Sequence, residues 1–324
     1  DWKAVRFAPG RDRTVPDDRW QVELYDLAAD PGETTDVASR HPAVAAELVA
    51  LMRSSWGPQQ ERDPYGVRLD APEFVVPGAT YRVTTTFGNA SAVLWTGAEV
   101  RLSAPRGWRV RALGRAALGR LAPGGTLVTT WEVTVPENAG GTAWRLRATA
   151  SASAAKYGRL SFTAARRYTP PPPPPTGDAF LSDLPWLKAD NGWGPVERDA
   201  SNGRQAAGDG TPISFGGTTY AKGLGVHATS EVVYHVGGQA ARLTALVGID
   251  DFSARQNARG STIARVAGDG RVLFDSGVLT AAGGPKKVDV DLTGVRLLHL
   301  VVVNADEDTG FDHTSWAEAY LHHA

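Results

Sequence analysis

The chain has 324 residues, of which 42% are hydrophobic and 21% charged, a balance that suits two or three folded domains and argues against wholesale disorder. The formal net charge is -1, so no global field draws nucleic acid or an anionic surface to it, and neither nucleic acid nor membrane insertion is expected. There are 0 Cys, which excludes disulfides and cysteine nucleophiles, and no run of ~18 apolar residues offers a bilayer span.

The first residue is Asp1, with neither an initiator methionine nor an apolar signal segment, and the expectation is a chain that begins inside a longer protein. Trp2 to Phe7 leads into a charged loop, and Trp20 to Leu27 reads as a strand. Asp30 to Ala38 follows as turn and loop, and a helix is expected from near Pro42. Val44, Leu48, Leu51 and Met52 recur at helical spacing, so one face of that helix is apolar and needs a packing partner. Glu23-Leu24-Tyr25-Asp26-Leu27, then Asp30-Pro31, Glu33 and Thr34 ahead of a closing helix resemble the C-terminal subdomain of the sulfatases. The resemblance implies that residues 1–68 are a small α+β remnant of a sulfatase catalytic domain. That family converts a cysteine or serine in a Cys/Ser-x-Pro-x-Arg pattern. Ser103-Ala104-Pro105-Arg106 sets the arginine one residue early, so Ser103 is read as structural and no catalytic residue is expected in this chain.

Residues 69–169 alternate with period two. Tyr81, Val83, Thr85 and Phe87 fall on one face of a strand, and Leu127, Thr129, Trp131, Val133 and Val135 on one face of another. Further short strands, at Val100 to Leu102, Trp108 to Ala112, Trp144 to Ala150 and Leu160 to Thr163, are divided by Gly- and Pro-rich turns. Together they predict an immunoglobulin-like sandwich. Ala104 to Trp108, Leu118 to Gly124 and Val133 to Pro136 also resemble the NPCBM-associated domain, which implies a spacer beside a sugar-binding module.

Pro170 to Pro175 form an unbroken run, which favours polyproline II at about 3.1 Å per residue, and 170–177 is read as a linker. Beyond it, Tyr220-Ala221-Lys222-Gly223-Leu224-Gly225-Val226-His227-Ala228-Thr229-Ser230 precedes the strand-like Glu231 to Val236. Asn191 to Asp199, Val247 to Asp251 and Asp312 to Ala319 supply further motifs. In this order they resemble the NPCBM family of carbohydrate-binding modules, over residues 178–324. The resemblance implies a galactose-binding-like, jelly-roll β-sandwich, so the expected fold class is mainly β, with two sandwiches and a small α+β remnant.

Several rival readings attach to the same residues. Gly223 to Ala228 also fits G-x-G-x-x-A, but a strand-like segment follows where a dinucleotide site needs a helix. Asp250 and Asp251 are adjacent, so on extended chain they point to opposite sides and make a poor glycosidase pair. His227 and His313 lack close-set zinc-ligand spacing. Asp306, Glu307, Asp308 and Asp312 resemble an oxygen-rich calcium loop, with Asp306 and Asp308 as the candidate metal ligands and solvated loop acids as the simpler reading. By motif position, the resemblance implies a sugar site built from Trp193, His227, Asp250 and Asp251, with Asp312, His313 and Trp316 as a second set. Imidazoles and carboxylates would meet hydroxyls, and indole rings would meet sugar C–H groups; core packing is the competing role for both tryptophans.

The expectation is therefore an exported, extracellular sulfatase fragment whose last module anchors it to glycans through terminal galactose-like sugars. The alternatives are an accessory region of a glycoside hydrolase and a non-enzymatic cell-surface adhesion protein.

Overall fold

The computed structural model describes residues 2–7, 19–55, 66–155, 157–255, 260–308 and 310–323. It divides into two compact units, residues 1–65 and 66–324. In the first, strands Trp2–Phe7 and Gln21–Asp26 pair antiparallel, Trp2 opposite Asp26 and Phe7 opposite Gln21, with Leu24 fully buried. Asp36 accepts the Leu24 amide at 2.9 Å, and Asp30 accepts the amides of Thr34 and Thr35 at 2.8 Å, so the turn expected at 30–38 is tied by its own carboxylates. The helix Pro42–Ser55 follows. The charged loop at 8–18, the Leu51 side chain and residues 56–65 lie outside the described residues.

The second unit contains two sandwiches in sequence. In the first, one sheet takes the order Gly158–Tyr168, Trp144–Ala154, Trp95–Ser103, Ala117–Leu121, and the other Gly66–Asp70, Thr80–Gly88, Thr126–Thr134, Arg109–Ala112. The period-two pattern is explicit in Trp144–Ala154, where Trp144, Leu146, Ala148, Ala150, Ala152 and Ala154 are buried and the intervening residues are not. Phe87, Trp95, Trp131 and Trp144 fill the space between the sheets. Burying one such ring removes roughly 150–250 Å² from water, about 4–6 kcal/mol at ~25 cal/mol per Å².

The second sandwich has one sheet ordered Glu197–Arg198, Gly223–His227, His313–His323, Ala240–Ile249, Lys286–Asp291, with Ala179–Phe180 also pairing with His313–His323. The opposing sheet runs Lys188–Asp190, Ser230–His235, Leu297–Asn304, Ser261–Gly268, Arg271–Thr280. Leu224, Val226, Leu243, Val247, Leu300 and Trp316 belong to its core.

The proline run does not hang free between the sandwiches. The Pro172 carbonyl accepts the His235 Nδ1 hydrogen at 2.8 Å, and Gly237 sits so close to Pro174 that a Cβ there would come within 2.6 Å of the ring. Val76, Val233 and Leu297 form a buried cluster with Phe74 and Leu187 across the junction. Arg296 donates to the Pro77 carbonyl at 2.9 Å and pairs with Glu137 at 2.5 Å.

Candidate sugar-binding site

Strand register creates the site. Gly223–His227 and His313–His323 are antiparallel neighbours in which His227 is the direct partner of His313, so two imidazoles far apart in sequence meet at one end of the sheet. Their centroids are 4.8 Å apart and their planes 88° from parallel. Phe252 packs edge-on against His313 at 4.9 Å. The Nδ1 of His227 donates to the Ala228 carbonyl at 2.7 Å and that of His313 to the Asn202 carbonyl at 2.9 Å. A carbonyl only accepts, so the hydrogen of each neutral ring sits on Nδ1 and Nε2 is left as an acceptor. Burial pushes the His227 pKa below its ordinary range. Burial, and then the His227 ring beside it, push His313 down to about 4. Both rings are thus neutral at pH 7.

Trp193 reaches the same concavity on a loop whose backbone is tied from two sides. The Asn191 side chain accepts the His227 amide at 2.7 Å and donates to the carbonyls of Trp193, Gly194 and Pro195. Asn202 donates to the carbonyls of Trp193 and Pro195, both at 3.0 Å. A Cβ on Gly192 would fall 2.2 Å from the Ala228 oxygen, and Gly194, at φ +61°, would place one 2.1 Å from the Arg204 oxygen. Only glycine fits at either position. The indole is left 44% exposed.

Trp193, Arg204, His227, Phe252, Asn304 and His313 line one concavity of about 790 Å³, open to solvent and large enough for a sugar unit. The Asn304 amide oxygen is buried without a hydrogen-bond partner, and among the described residues no carboxylate pairs with Arg204. The concavity therefore offers an aromatic face, a cation and several unpaired polar atoms.

Of the residues expected at a sugar site, Trp193, His227 and His313 come together here. The others do not line the concavity. Asp250 is fully buried. It accepts the amides of Phe252 and Ser214 and the Ser315 hydroxyl at 2.9, 3.2 and 2.8 Å, and burial raises its pKa despite those bonds. Asp251 clamps the turn between strands Ile213–Phe215 and Thr218–Tyr220 through the amides of Gly216 and Gly217. Trp316 is 1% exposed and lies in the core, the competing role weighed for it. Asp312 is fully buried, accepts the Ser261 amide at 2.9 Å and leaves its second oxygen unpaired. Burial, opposed by that amide bond and reinforced by Asp306 and Asp308, pushes its pKa up to about 6. Asp306 accepts the Ser261 hydroxyl at 2.5 Å and the Asp308 amide at 2.9 Å, while Asp308 accepts the Gly310 amide. Among the described residues no three His, Asp or Glu side chains converge as metal ligands.

Arg204, Phe252 and Asn304 were not singled out from sequence. Phe252 follows the Asp250-Asp251 pair, and its signal was the helix-capping role of Asp250, whose carboxylate accepts the Phe252 amide and fixes the residue that lines the concavity. Asn304 ends the strand Leu297–Asn304, a position that hydrophobic alternation does not mark. Arg204 lies in a loop tied by Asp209, whose docking beside Trp193 depends on tertiary packing alone.

Residues 177–322 match the NPCBM/NEW2 domain. The chain carries an NPCBM carbohydrate-binding module. The Trp193 concavity belongs to this NPCBM domain, and residues 75–153 match the NPCBM-associated, NEW3 domain of alpha-galactosidase. A putative endo-alpha-N-acetylgalactosaminidase of Renibacterium salmoninarum is 37% identical over 250 residues, 76% of this chain and 16% of that protein. Alpha-1,3-galactosidase B of Akkermansia muciniphila is 34% identical over 110 residues, 33% of this chain and 13% of that protein. The chain thus spans less than a fifth of the length of either relative. Among solved structures, the CBM51 of Clostridium perfringens GH95, in complex with methyl-galactose, is 32% identical, covers 44% of this chain and 99% of that one, and has a TM-score of 0.40. Both relatives are named as glycosidases, so the sulfatase parent expected from Glu23 to Thr34 is not supported. No described helix is long and apolar enough to cross a membrane.

Proposed function

We propose that the NPCBM domain binds a terminal galactose-like or N-acetylgalactosamine-like sugar and, outside the cell, holds a glycoside hydrolase on its glycan substrate. The observation that carries the reading is the half-exposed Trp193 beside two neutral imidazoles whose Nε2 atoms are unspent acceptors. A pyranose has an apolar C–H face and a rim of hydroxyls. The indole takes the first and the imidazoles, Arg204 and Asn304 take the second. The sugar classes follow the names of the two glycosidase relatives. One such contact is weak by itself, and tethering converts it into a raised local concentration of enzyme at the glycan.

The test is isothermal titration of the full chain with methyl galactoside, N-acetylgalactosamine and glucose. The first or second is expected to bind better than glucose, and Trp193→Ala to weaken binding at least ~10-fold, the scale of 1–2 kcal/mol lost with one stacking face. Absence of heat with all three sugars overturns the reading.

A further inference from the structure

A second concavity, of about 500 Å³, opens between the two sandwiches of the same compact unit and shares no residue with the Trp193 site. Phe74 and Tyr81 of the immunoglobulin-like sandwich form one wall, and Asp269, Arg296 and His299 of the NPCBM sandwich form the other. We propose that this cleft is a second saccharide site, taking one neutral sugar unit between the two domains. The proposal builds on glycan binding by the chain and places a further ligand where neither domain alone supplies a complete wall.

Three observations carry it. The apolar surface is aromatic and partly open, since Phe74 and Tyr81 are half-buried rather than sealed into either core. Rings of this kind take the C–H face of a pyranose. The formal charges of the two NPCBM turns are already answered: Arg296 by Glu137 and by the carbonyls of Pro77 and Gly237, and Asp269 by the amides of Arg296 and Leu297. Glu73, which also lines the cleft, faces Lys188 at 3.6 Å, and with these charges compensated the cleft favours a neutral ligand over an ion.

Two polar groups keep unused capacity. The Tyr81 hydroxyl accepts the Val76 amide at 2.9 Å, and burial holds the phenol protonated, with its pKa pushed up to about 12. Its own hydrogen has no acceptor among the described residues. His299 meets Glu231 through Nδ1 at 2.9 Å. Burial pushes the Glu231 pKa up, but its bonds to Lys188 and His299 outweigh this and hold it below the ordinary value, so the carboxylate accepts and His299 Nδ1 donates. In the tautomer with its hydrogen on Nδ1, Nε2 is an acceptor on a residue lining the cleft. A donor and an acceptor beside an aromatic wall suit a sugar hydroxyl, which both gives and takes a hydrogen bond.

The experiment is titration of the full chain, and of variants at each site, with methyl galactoside and N-acetylgalactosamine, reading the number of equivalents bound. Two equivalents are expected for the wild type and one for Trp193→Ala. Thr80→Trp, which puts an indole into the cleft from an exposed position on its rim, is expected to leave one. His299→Gln keeps a donor toward Glu231 and is expected to weaken the cleft event about tenfold; it serves as the second variant if Thr80→Trp lowers the melting temperature. One equivalent in the wild type and none in Trp193→Ala overturns the cleft and leaves the Trp193 reading standing. Binding that survives Trp193→Ala undiminished but vanishes in Thr80→Trp supports the cleft and overturns the Trp193 reading. No binding by any form overturns both.

Discussion

The two sandwiches of the second unit are built on the same alternation of inward and outward residues, yet they bury different chemistry. Among the described residues, the immunoglobulin-like sandwich buries only Thr85, Asn89 and Thr129 as polar side chains, and each ties backbone or a ring. Asn89 donates to the carbonyls of Val93 and Leu121 at 2.9 Å, and Thr85 accepts the Trp131 indole hydrogen at 2.8 Å. The NPCBM sandwich buries Asp250, Asp312, His227 and His313 at the end that carries the concavity. Burying ionisable groups opposes folding unless neighbours or neutralisation compensate. Where one of two similar frames accepts that cost and the other does not, the difference marks the site.

The comparison breaks most visibly at its two tryptophans. Trp144→Ala, in the immunoglobulin-like core, is expected to lower unfolding stability by about 3–5 kcal/mol, whereas Trp193→Ala is expected to change it by no more than about 0.5 kcal/mol while weakening sugar binding at its own concavity. Urea denaturation of both variants, followed by titration with sugar, checks this. Equal destabilisation would make Trp193 a core residue and end its role as a stacking face.

A smaller effect separates the buried acid from the buried imidazole. A carboxyl whose pKa is raised by folding contributes stability at acid pH that is lost as pH rises, here between 3.8 and about 6 for Asp312. A histidine lowered by folding contributes stability near neutrality that is lost as pH falls, here between 6.5 and about 4 for His313. The windows overlap with opposite slopes, so the contributions of these two groups are expected nearly to cancel between pH 4 and 6. Asp312→Asn removes the acid's slope, gains at most about 3 kcal/mol at pH 7 at ~1.36 kcal/mol per pH unit, and exposes the loss caused by His313 on acidification. His313→Gln should show the reverse slope. Melting curves at pH 4, 5.5 and 7 decide it, and parallel pH profiles for the two variants would refute both assignments.

The smallest effect sharpens the boundary of the site. Asp250→Ala leaves the amides of Phe252 and Ser214 and the Ser315 hydroxyl without their acceptor, with an expected cost of about 1–3 kcal/mol, and frees Phe252 from its cap. Sugar affinity should fall with Asp250→Ala but hold with Asp251→Asn, whose carboxylate ties a turn outside the concavity. Equal losses of affinity would place Asp251 at the sugar after all.

The frame was legible in sequence because alternation is a local pattern. Tyr81, Val83, Thr85 and Phe87 share a face of Thr80–Gly88, and Leu127, Thr129, Trp131 and Val133 share the buried face of Thr126–Thr134. The site was legible in part. Trp193, His227 and His313 stood out by motif position and line one concavity, but the acids singled out with them fold inward, because a motif's spacing does not tell a carboxylate that caps backbone from one that meets ligand. Asp250 and Asp312 are spent on amides. Arg204 and Asn304 arrive through loop docking and strand register, which arise only between distant segments. The proline run reads from sequence as a linker, whereas its bond to His235 follows from how the sandwiches meet.

Asn191 and Asn202 secure the loop around Trp193 entirely through its main chain, between two glycines that tolerate no replacement. The tip residue contributes its carbonyl to these bonds, and its indole is left exposed. This is the arrangement of an interchangeable tool in a fixed chuck: the residue at position 193 is open to exchange for tyrosine, histidine or arginine without refolding its mount, so ligand preference in such a module is free to diverge faster than its scaffold.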